Sequence, residues 1–181
     1  AADLPFKSDI NDAGIDAVVK QIASSGAQMV FNHGSSGIYE KIIRKAREQQ
    51  LATQFYGVNS GSTQLARHLG PLAQNMIFAQ VMPSPWERKT AITRAYQEAF
   101  KAYKPKEDFS YGSLEGYMTA RALVEALRRA GPNPTRDSFV AGLKDADLQI
   151  DGLKVNYRNG THTGLSLVDL AIVTREGKFR H

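Results

Sequence analysis

Two short turns carry the residue types best suited to chemistry in this sequence. The first, Asn32–Gly37, follows the apolar segment Met29–Phe31, and the second, Asn59–Thr63, follows Phe55–Gly57. Both contain Gly, Ser and Asn, which let a ligand approach the backbone closely, and both lead into predicted helices whose free amide groups favour anions. Ordinary turns between strand and helix, with Ser and Asn as helix caps, have the same composition. The pattern therefore leaves two interpretations open, a binding site and a structural turn.

The sequence contains no recognisable catalytic motif. The segment Gly34–Gly37 lacks the spacing of a nucleophile elbow, and neither a Gly-rich dinucleotide loop nor a phosphate loop is present. The four histidines have no metal-ligand spacing, and the chain has no Cys. His33 precedes Ser35 by two residues, but no carboxylate lies near it in sequence to orient its ring. We therefore predict that the protein is not an enzyme and that it uses no metal and no cofactor.

Charge and composition narrow the class of protein further. The chain has 181 residues and a net charge of +5, from 23 Lys and Arg against 18 Asp and Glu. Arg44-Lys45 and Arg128-Arg129 lie on predicted helices next to Glu48 and Glu125, so the basic residues are spread rather than gathered into one patch. This distribution favours solvated helix faces and predicts no nucleic-acid partner. No apolar run is long enough to span a membrane.

The first part of the chain alternates between helix and strand. Apolar residues at helical spacing predict helices over about 10–22 and 38–50, and a shorter helix passes through Leu65 and Leu69. The predicted strands are 28–31, 53–57 and 76–81. Short turns between alternating helices and strands indicate an α/β fold with a parallel, flavodoxin-like sheet flanked by helices.

The pattern changes at Pro83-Ser84-Pro85, which cannot continue a strand ladder. Three helices are predicted beyond it, over Ala91–Tyr103, Leu114–Ala130 and Ser138–Leu143, with no strand between them. Two strands follow, at Leu153–Tyr157 and Leu165–Val173, with a turn at 158–160 between them. The helices carry apolar stripes that need a sheet to cover, so we predict that this sheet lies elsewhere and that the chain is not a self-sufficient monomer. The stripes comprise Ile92, Tyr96, Phe100, Tyr117, Val124 and Leu127.

Several segments resemble the bacterial solute receptors of the branched-chain amino-acid-binding type. They are the Asp108–Tyr117 stretch with the helix Ala120–Leu127, the Gly26–Phe31 and Gln54–Gly57 strands, and the Tyr157–Gly164 turn. The resemblance covers nearly the whole chain. It implies a type I periplasmic-binding-protein fold, in which two α/β lobes joined by three crossovers close around a small ligand.

By this resemblance the chain is the C-terminal half of such a receptor. Residues 1–82 would belong to the C-terminal lobe, 83–160 would be helices of the N-terminal lobe with a returning strand, and 161–181 would return to the C-terminal lobe. The implied partners are a small-molecule ligand, the missing N-terminal half and an inner-membrane ABC permease. The implied location is the periplasm, with a signal peptide expected upstream in the precursor. An isolated chain is expected to pair with the missing half, to exchange elements with a second copy, or to repack onto its own sheet.

The resemblance also implies a set of ligand-binding residues: His33, Ser35, Ser36, Asn59, Ser60, Tyr111 and Ser113. Family members that bind amino acids place an acidic residue for the ammonium group where this chain has Asn59. An amide cannot neutralise a buried ammonium group. A carboxylate, an amide or another neutral polar solute is therefore expected in place of a free α-amino acid.

A second hypothesis fits the length of the chain. A compact flavodoxin-like enzyme or ligand-sensing domain would use the His33/Ser35 and Asn59/Ser60 turns as its site. Three helices in succession, and the lack of a placed acid, base or nucleophile, count against it.

Overall fold

The computed structural model describes residues 2–144, 147–158 and 161–181. The described chain divides into two compact units. The first takes in the residues up to Gln80 together with Leu170–His181, and the second is Val81–Asp169. The predicted turn at 158–160 lies partly outside the described residues, because Asn159 and Gly160 are not among them.

The first unit alternates helix and strand as the periodicity predicts. Its elements in chain order are α1 (Asp12–Ser25), β1 (Met29–Phe31), α2 (Ser36–Glu48), β2 (Gln54–Val58), α3 (Ser62–Leu69), a 3-10 turn (Gly70–Ala73) and β3 (Ile77–Gln80). The sheet has the order β1-β2-β3-β6-β7, where β6 is Asp169–Val173 and β7 is Phe179–Arg180. β1, β2 and β3 are parallel neighbours, with Val30 opposite Phe55 and Gly57 opposite Phe78, and β7 is antiparallel to β6.

Local sequence signals set the ends of α1. The Asn11 side chain accepts a hydrogen bond from the Gly14 amide and caps the first turn. Gly26 ends the helix in the left-handed conformation, which glycine adopts without steric cost. The helix buries an apolar stripe of Ile15, Val19 and Ile22 against the sheet.

One hydrophobic core holds the first unit together. Helices α1, α2 and α3 place buried residues against Phe55 of β2 and Phe78 of β3, and Val173 of β6 belongs to the same cluster. The Tyr39 ring packs edge-on against the Phe55 ring, with 6.0 Å between centroids. This core fixes the strands, so their carboxyl ends have defined positions.

The second unit is mainly helical and contains a hairpin. Its elements are α4 (Ala91–Tyr103), α5 (Tyr111–Ala130), α6 (Arg136–Lys144), β4 (Asp147–Ile150) and β5 (Leu153–Asn156). β4 and β5 form a two-stranded antiparallel sheet in which Leu148 lies opposite Val155. Ile92 of α4 packs with Leu148, Ile150 and Val155, and residues of α5 border this cluster.

Three expectations from the sequence need correction here. Strand β4 was not expected, and it supplies part of the apolar surface that the helices cover. Ile92 packs against β4 and is 0% exposed, and Tyr96, whose ring packs against Phe100, Phe109 and Tyr117, is 1% exposed, so neither is left for a partner. The last long strand begins at Asp169, not Leu165. Upstream of it, the Gly164 carbonyl accepts a hydrogen bond from the Asn156 amide at the end of β5.

Candidate functional site

The turn after β1 is shaped by Asn32. The Asn32 side chain accepts a hydrogen bond from the Gly34 amide at 3.1 Å and donates one to the Gly34 carbonyl at 3.2 Å. These two hydrogen bonds fix the conformation of the turn. His33, Ser35 and Ser36, all predicted ligand residues, are exposed on it.

The turn after β2 lies directly beside it. The Asn59 carbonyl accepts from the Ser62 amide at 3.0 Å, and Gly61 adopts a φ of +71° that favours glycine. A methyl group placed on Gly61 would lie 3.4 Å from Ser36 Oγ. The two predicted turns are therefore neighbours at the carboxyl edge of the parallel sheet, where α/β proteins bind ligands. Asn59 is half-buried and Ser60 is exposed.

Two helix N-termini meet at this edge. α2 begins at Ser36 and α3 at Ser62, and neither N-cap residue, Ser35 or Gly61, makes a side-chain cap hydrogen bond. Helix N-termini present amide donors and the positive end of the helix dipole. No Asp or Glu occurs in residues 32–37 or 59–63. The arrangement is suited to a hydrogen-bond acceptor or an anionic group.

Tyr39 ties the strands together beneath these turns. Its hydroxyl donates to the Tyr56 carbonyl at 2.7 Å and lies 3.3 Å from the Val30 carbonyl, so one side chain of α2 bridges β1 and β2. Burial raises the pKa of Tyr39 well above its usual range. The hydroxyl therefore stays protonated and acts as a structural donor.

A buried polar pair supports the second turn, and the sequence analysis missed it. The Gln80 side-chain amide, at the end of β3, donates to Ser62 Oγ at 3.2 Å, and both residues are at most 1% exposed. Gln80 Oε1 is buried without a hydrogen-bond partner among the described residues. No local pattern signals this pair, because it depends on the packing of α3 beside β3.

The remaining predicted ligand residues, Tyr111 and Ser113, lie in the first turn of α5 in the second unit. Tyr111 is 1% exposed, and its ring stacks edge-on against Trp86 with centroids 5.4 Å apart. Burial, followed by the charges of Asp169 and Glu87, raises the pKa of Tyr111 above its usual range. The Tyr111 ring therefore lies in the interior of the second unit.

Ser113 takes part in capping α5. Its hydroxyl accepts from the Ser110 amide at 3.2 Å, and the Ser113 amide donates to Ser110 Oγ at 3.1 Å, which forms a capping box. The Tyr96 hydroxyl lies 2.6 Å from Ser113 Oγ. These contacts use most of the hydrogen-bonding capacity of the Ser113 hydroxyl and hold the side chain in place.

Within the residues that the structure describes, no hydrogen bond joins His33 to Ser35. Within the same residues, no group of three or more His, Asp and Glu side chains could hold a metal ion. Nor does this part of the chain contain a helix long and apolar enough to cross a membrane.

Comparisons with known proteins agree with the geometry. A family profile described as "Periplasmic binding protein" matches residues 4–178. A possible leucine/isoleucine/valine-binding protein from Rhodopirellula baltica is 28% identical, with a TM-score of 0.75 over 85% of this chain and 42% of that one. A substrate-binding periplasmic protein from Ralstonia solanacearum is 26% identical, with a TM-score of 0.80 over 92% of this chain and 49% of that one.

An extracellular ligand-binding receptor from Verminephrobacter eiseniae has the same fold. It is 24% identical, with a TM-score of 0.82 over 94% of this chain and 49% of that one. The comparison with curated proteins finds no match. The chain thus spans about half the length of the solved structures it resembles.

Proposed function

Because the chain belongs to the periplasmic binding protein family, we propose that it forms the C-terminal half of an extracytoplasmic receptor that captures a small solute. The receptor would deliver this solute to an inner-membrane ABC importer. The observation that carries the proposal is the family match, which runs from residue 4 to residue 178. The adjacent turns at the carboxyl edge of the sheet support it, because they offer exposed polar groups without a catalytic pair.

The turns also favour a class of solute. Two helix N-termini whose N-cap residues make no side-chain cap hydrogen bond, and the absence of acidic residues in both turns, suit a carboxylate, an amide or another acceptor group. Asn59 supplies an amide at the position where amino-acid-binding members of the family place an acid. We therefore propose His33, Ser35, Ser36, Asn59 and Ser60 as ligand contacts, and a solute without an ammonium group at this end.

Tyr111 and Ser113 complete the proposed set of ligand contacts. They lie in the first turn of α5, where the capping box with Ser110 fixes the Ser113 side chain. The burial of Tyr111 within the second unit is consistent with a supporting role for its ring. We propose that the start of α5 contributes to the ligand site in the full-length receptor.

The missing half of the receptor would cover apolar surface of the second unit. α5 exposes Leu123, Val124 and Leu127 at 49%, 42% and 40%. An apolar hollow of about 430 Å³ also opens between α5 and the β4–β5 hairpin, with Met118, Ala122 and Leu153 in its lining. Surfaces of this kind mark contacts with other polypeptide. We propose that residues 83–160 belong with the N-terminal lobe and that 1–82 and 161–181 form the C-terminal lobe.

Thermal-shift screening of the full-length receptor tests the proposal. We expect saturable stabilisation by a subset of carboxylates and amides, without consumption of the compound. A matched library of free amino acids provides the comparison. Turnover of a compound that His33→Ala abolishes would contradict the receptor assignment and favour an enzyme. Stabilisation by no compound in a broad solute library would also count against it.

A further inference from the structure

Gln80 brings the end of a third strand to the candidate site. β2 and β3 are parallel neighbours, with Val58 opposite Ala79. The register of parallel strands advances one residue at a time, so Asn59 and Gln80 follow side by side at the carboxyl edge of the sheet. Gln80 is the last residue of β3, and its side chain is on the same face of the strand as the buried Phe78. A polar side chain of β3 therefore lies beneath the second turn.

The Gln80 amide contacts the start of α3. Its Nε2 donates to Ser62 Oγ at 3.2 Å, and Ser62 is the first residue of this helix. The Ser62 amide in turn donates to the Asn59 carbonyl at 3.0 Å, which closes the second turn. The N-cap residue, Gly61, has no side chain with which to hold the helix start. Gln80 supplies such a contact from the sheet.

Stability alone does not account for an amide at this position. Gln80 is 0% exposed and Ser62 is 1% exposed, while Gln80 Oε1 has no hydrogen-bond partner among the residues that the structure describes. Burying an amide with one end unpaired is unfavourable, and apolar groups of the same shape in place of both partners can be neutral or stabilising. Half-paired buried amides are rare in native proteins. Its location under a candidate ligand site indicates a role in binding.

We propose that Gln80 is a positioning residue of the ligand site. Through Ser62 it fixes the N-terminus of α3, so that the backbone amides of this first turn are aimed at a carboxylate group of the solute. Helix N-termini stabilise anions through their amide donors and their dipole, and a preorganised group binds without a further ordering cost. This inference rests on the proposed function, which places the solute at these turns. Gln80 acts through Ser62, since its own side chain is fully buried.

Titration of the full-length receptor with acetate, the smallest probe with a methyl group and a carboxylate, tests the proposal. The backbone amide signals of Gly61 and Thr63 in the nuclear magnetic resonance spectrum report binding at the start of α3. We expect Gln80→Leu to weaken the affinity for acetate by about tenfold. Gln74→Leu, at an exposed position three residues before β3, is the matched control and should leave the affinity unchanged.

A double variant separates positioning from stability. Ser62→Ala combined with Gln80→Leu removes both partners, so it should be more stable than Ser62→Ala alone, which leaves the buried amide unpaired. A positioning role predicts that the double variant still binds acetate as weakly as Gln80→Leu. An affinity that recovers together with the stability would overturn the proposal, as would an unchanged affinity in Gln80→Leu.

The inference and the proposed function can fail independently. If acetate leaves the α3 signals of the parent receptor unchanged, the positioning role is overturned, whereas stabilisation by a library solute would still support the receptor function. If Gln80→Leu weakens acetate binding while no library solute stabilises the receptor, the positioning role is supported and the receptor function alone is contradicted.

Discussion

The side-chain amide of Gln80 donates a hydrogen bond of 3.2 Å to the hydroxyl of Ser62, and both groups are buried. Since Gln80 Oε1 already lacks a partner among the described residues, Ser62→Ala would leave the whole amide unpaired. We expect this change to lower the free energy of unfolding by about 1–3 kcal/mol. Urea denaturation measures the loss.

A double mutant separates the lost hydrogen bond from a simple packing defect. Ser62→Ala combined with Gln80→Leu removes both partners, so it should cost less than the sum of the two single changes. Ser24→Ala, at an exposed position of α1, is the control and should change stability by less than about 0.5 kcal/mol. Strict additivity of the two buried changes would show that the pair is not coupled.

Asn59 should determine whether the site accepts an ammonium group. Asn59→Asp introduces a carboxylate, so we expect the ratio of affinities for valine over its deaminated analogue to rise by about tenfold. Isothermal calorimetry on the full-length receptor gives both affinities. Asn133→Asp makes the same charge change at an exposed position of the second unit and should leave the ratio unchanged. If Asn59→Asp also leaves it unchanged, Asn59 is not a ligand contact.

Glu40 should make stability depend on pH in the acid range. A hydrogen bond from Arg44, with a further contribution from His68, holds the pKa of the Glu40 carboxyl below its usual range. A carboxyl whose pKa is lowered on folding stabilises the protein above its unfolded pKa of about 4.3 and loses this contribution as the pH falls through its folded pKa.

Melting temperatures as a function of pH check this expectation. Glu40→Gln should melt below the parent protein at pH 7, and the two curves should converge as the pH falls below the lowered pKa of folded Glu40. Glu176→Gln is the matched control, because Glu176 and its partner Lys178 are both largely exposed at a distance of 3.8 Å. A gap between Glu40→Gln and the parent that persists at low pH would mean that packing, not charge, is responsible.

Gly57 should tolerate no side chain. A methyl group there would lie 2.9 Å from Cε1 of the buried Phe78 ring on the neighbouring strand. We expect Gly57→Ala to cost about 1–3 kcal/mol of unfolding free energy through overpacking. Gly116→Ala, at an exposed position of α5 where the added methyl group meets nothing within 4 Å beyond its chain neighbours and the backbone of its own helix, should instead stabilise the protein by about 0.5–1 kcal/mol. Chemical denaturation of both variants shows whether the free energy of unfolding falls for Gly57→Ala and rises for Gly116→Ala.

The sequence predicts the features that depend on local pattern. Helical spacing and Gly-Ser turns are enough to predict the order of elements up to Gln80, because each signal lies within about ten residues. The Ser36–Gly61 contact follows from the placement of both turns after parallel strands. The fold class and the family resemblance are confirmed by the profile match and by the similar structures.

Features that depend on distant packing could not be predicted in this way. The Gln80–Ser62 pair needs the register of β3 beside α3, and β4 is four residues long with only two buried side chains. The sequence predicts Tyr111 as a ligand contact, whereas its burial against Trp86 depends on packing that no local pattern signals. The assignment of residues to lobes and the set of ligand contacts remain predictions.

The exposed face of α5 should drive association of the isolated chain. Leu123, Val124 and Leu127 lie on one side of the helix, since residues three and four positions apart are neighbours. Burying one such side chain fully is worth about 1.5–3 kcal/mol, so three of them favour contact with other polypeptide. We expect sedimentation of the 181-residue chain to show self-association that Val124→Lys with Leu127→Glu reduces.

Tyr103→Glu provides the control for this experiment. Tyr103 is 81% exposed at the end of α4, outside the α5 face, so its replacement should leave the sedimentation behaviour unchanged. Adding the N-terminal half of the receptor as a separate chain should convert the self-associated species into a one-to-one complex, because the missing half would cover the same apolar face. A monomer that unfolds cooperatively and binds no dye specific for apolar surface would show that α5 needs no partner.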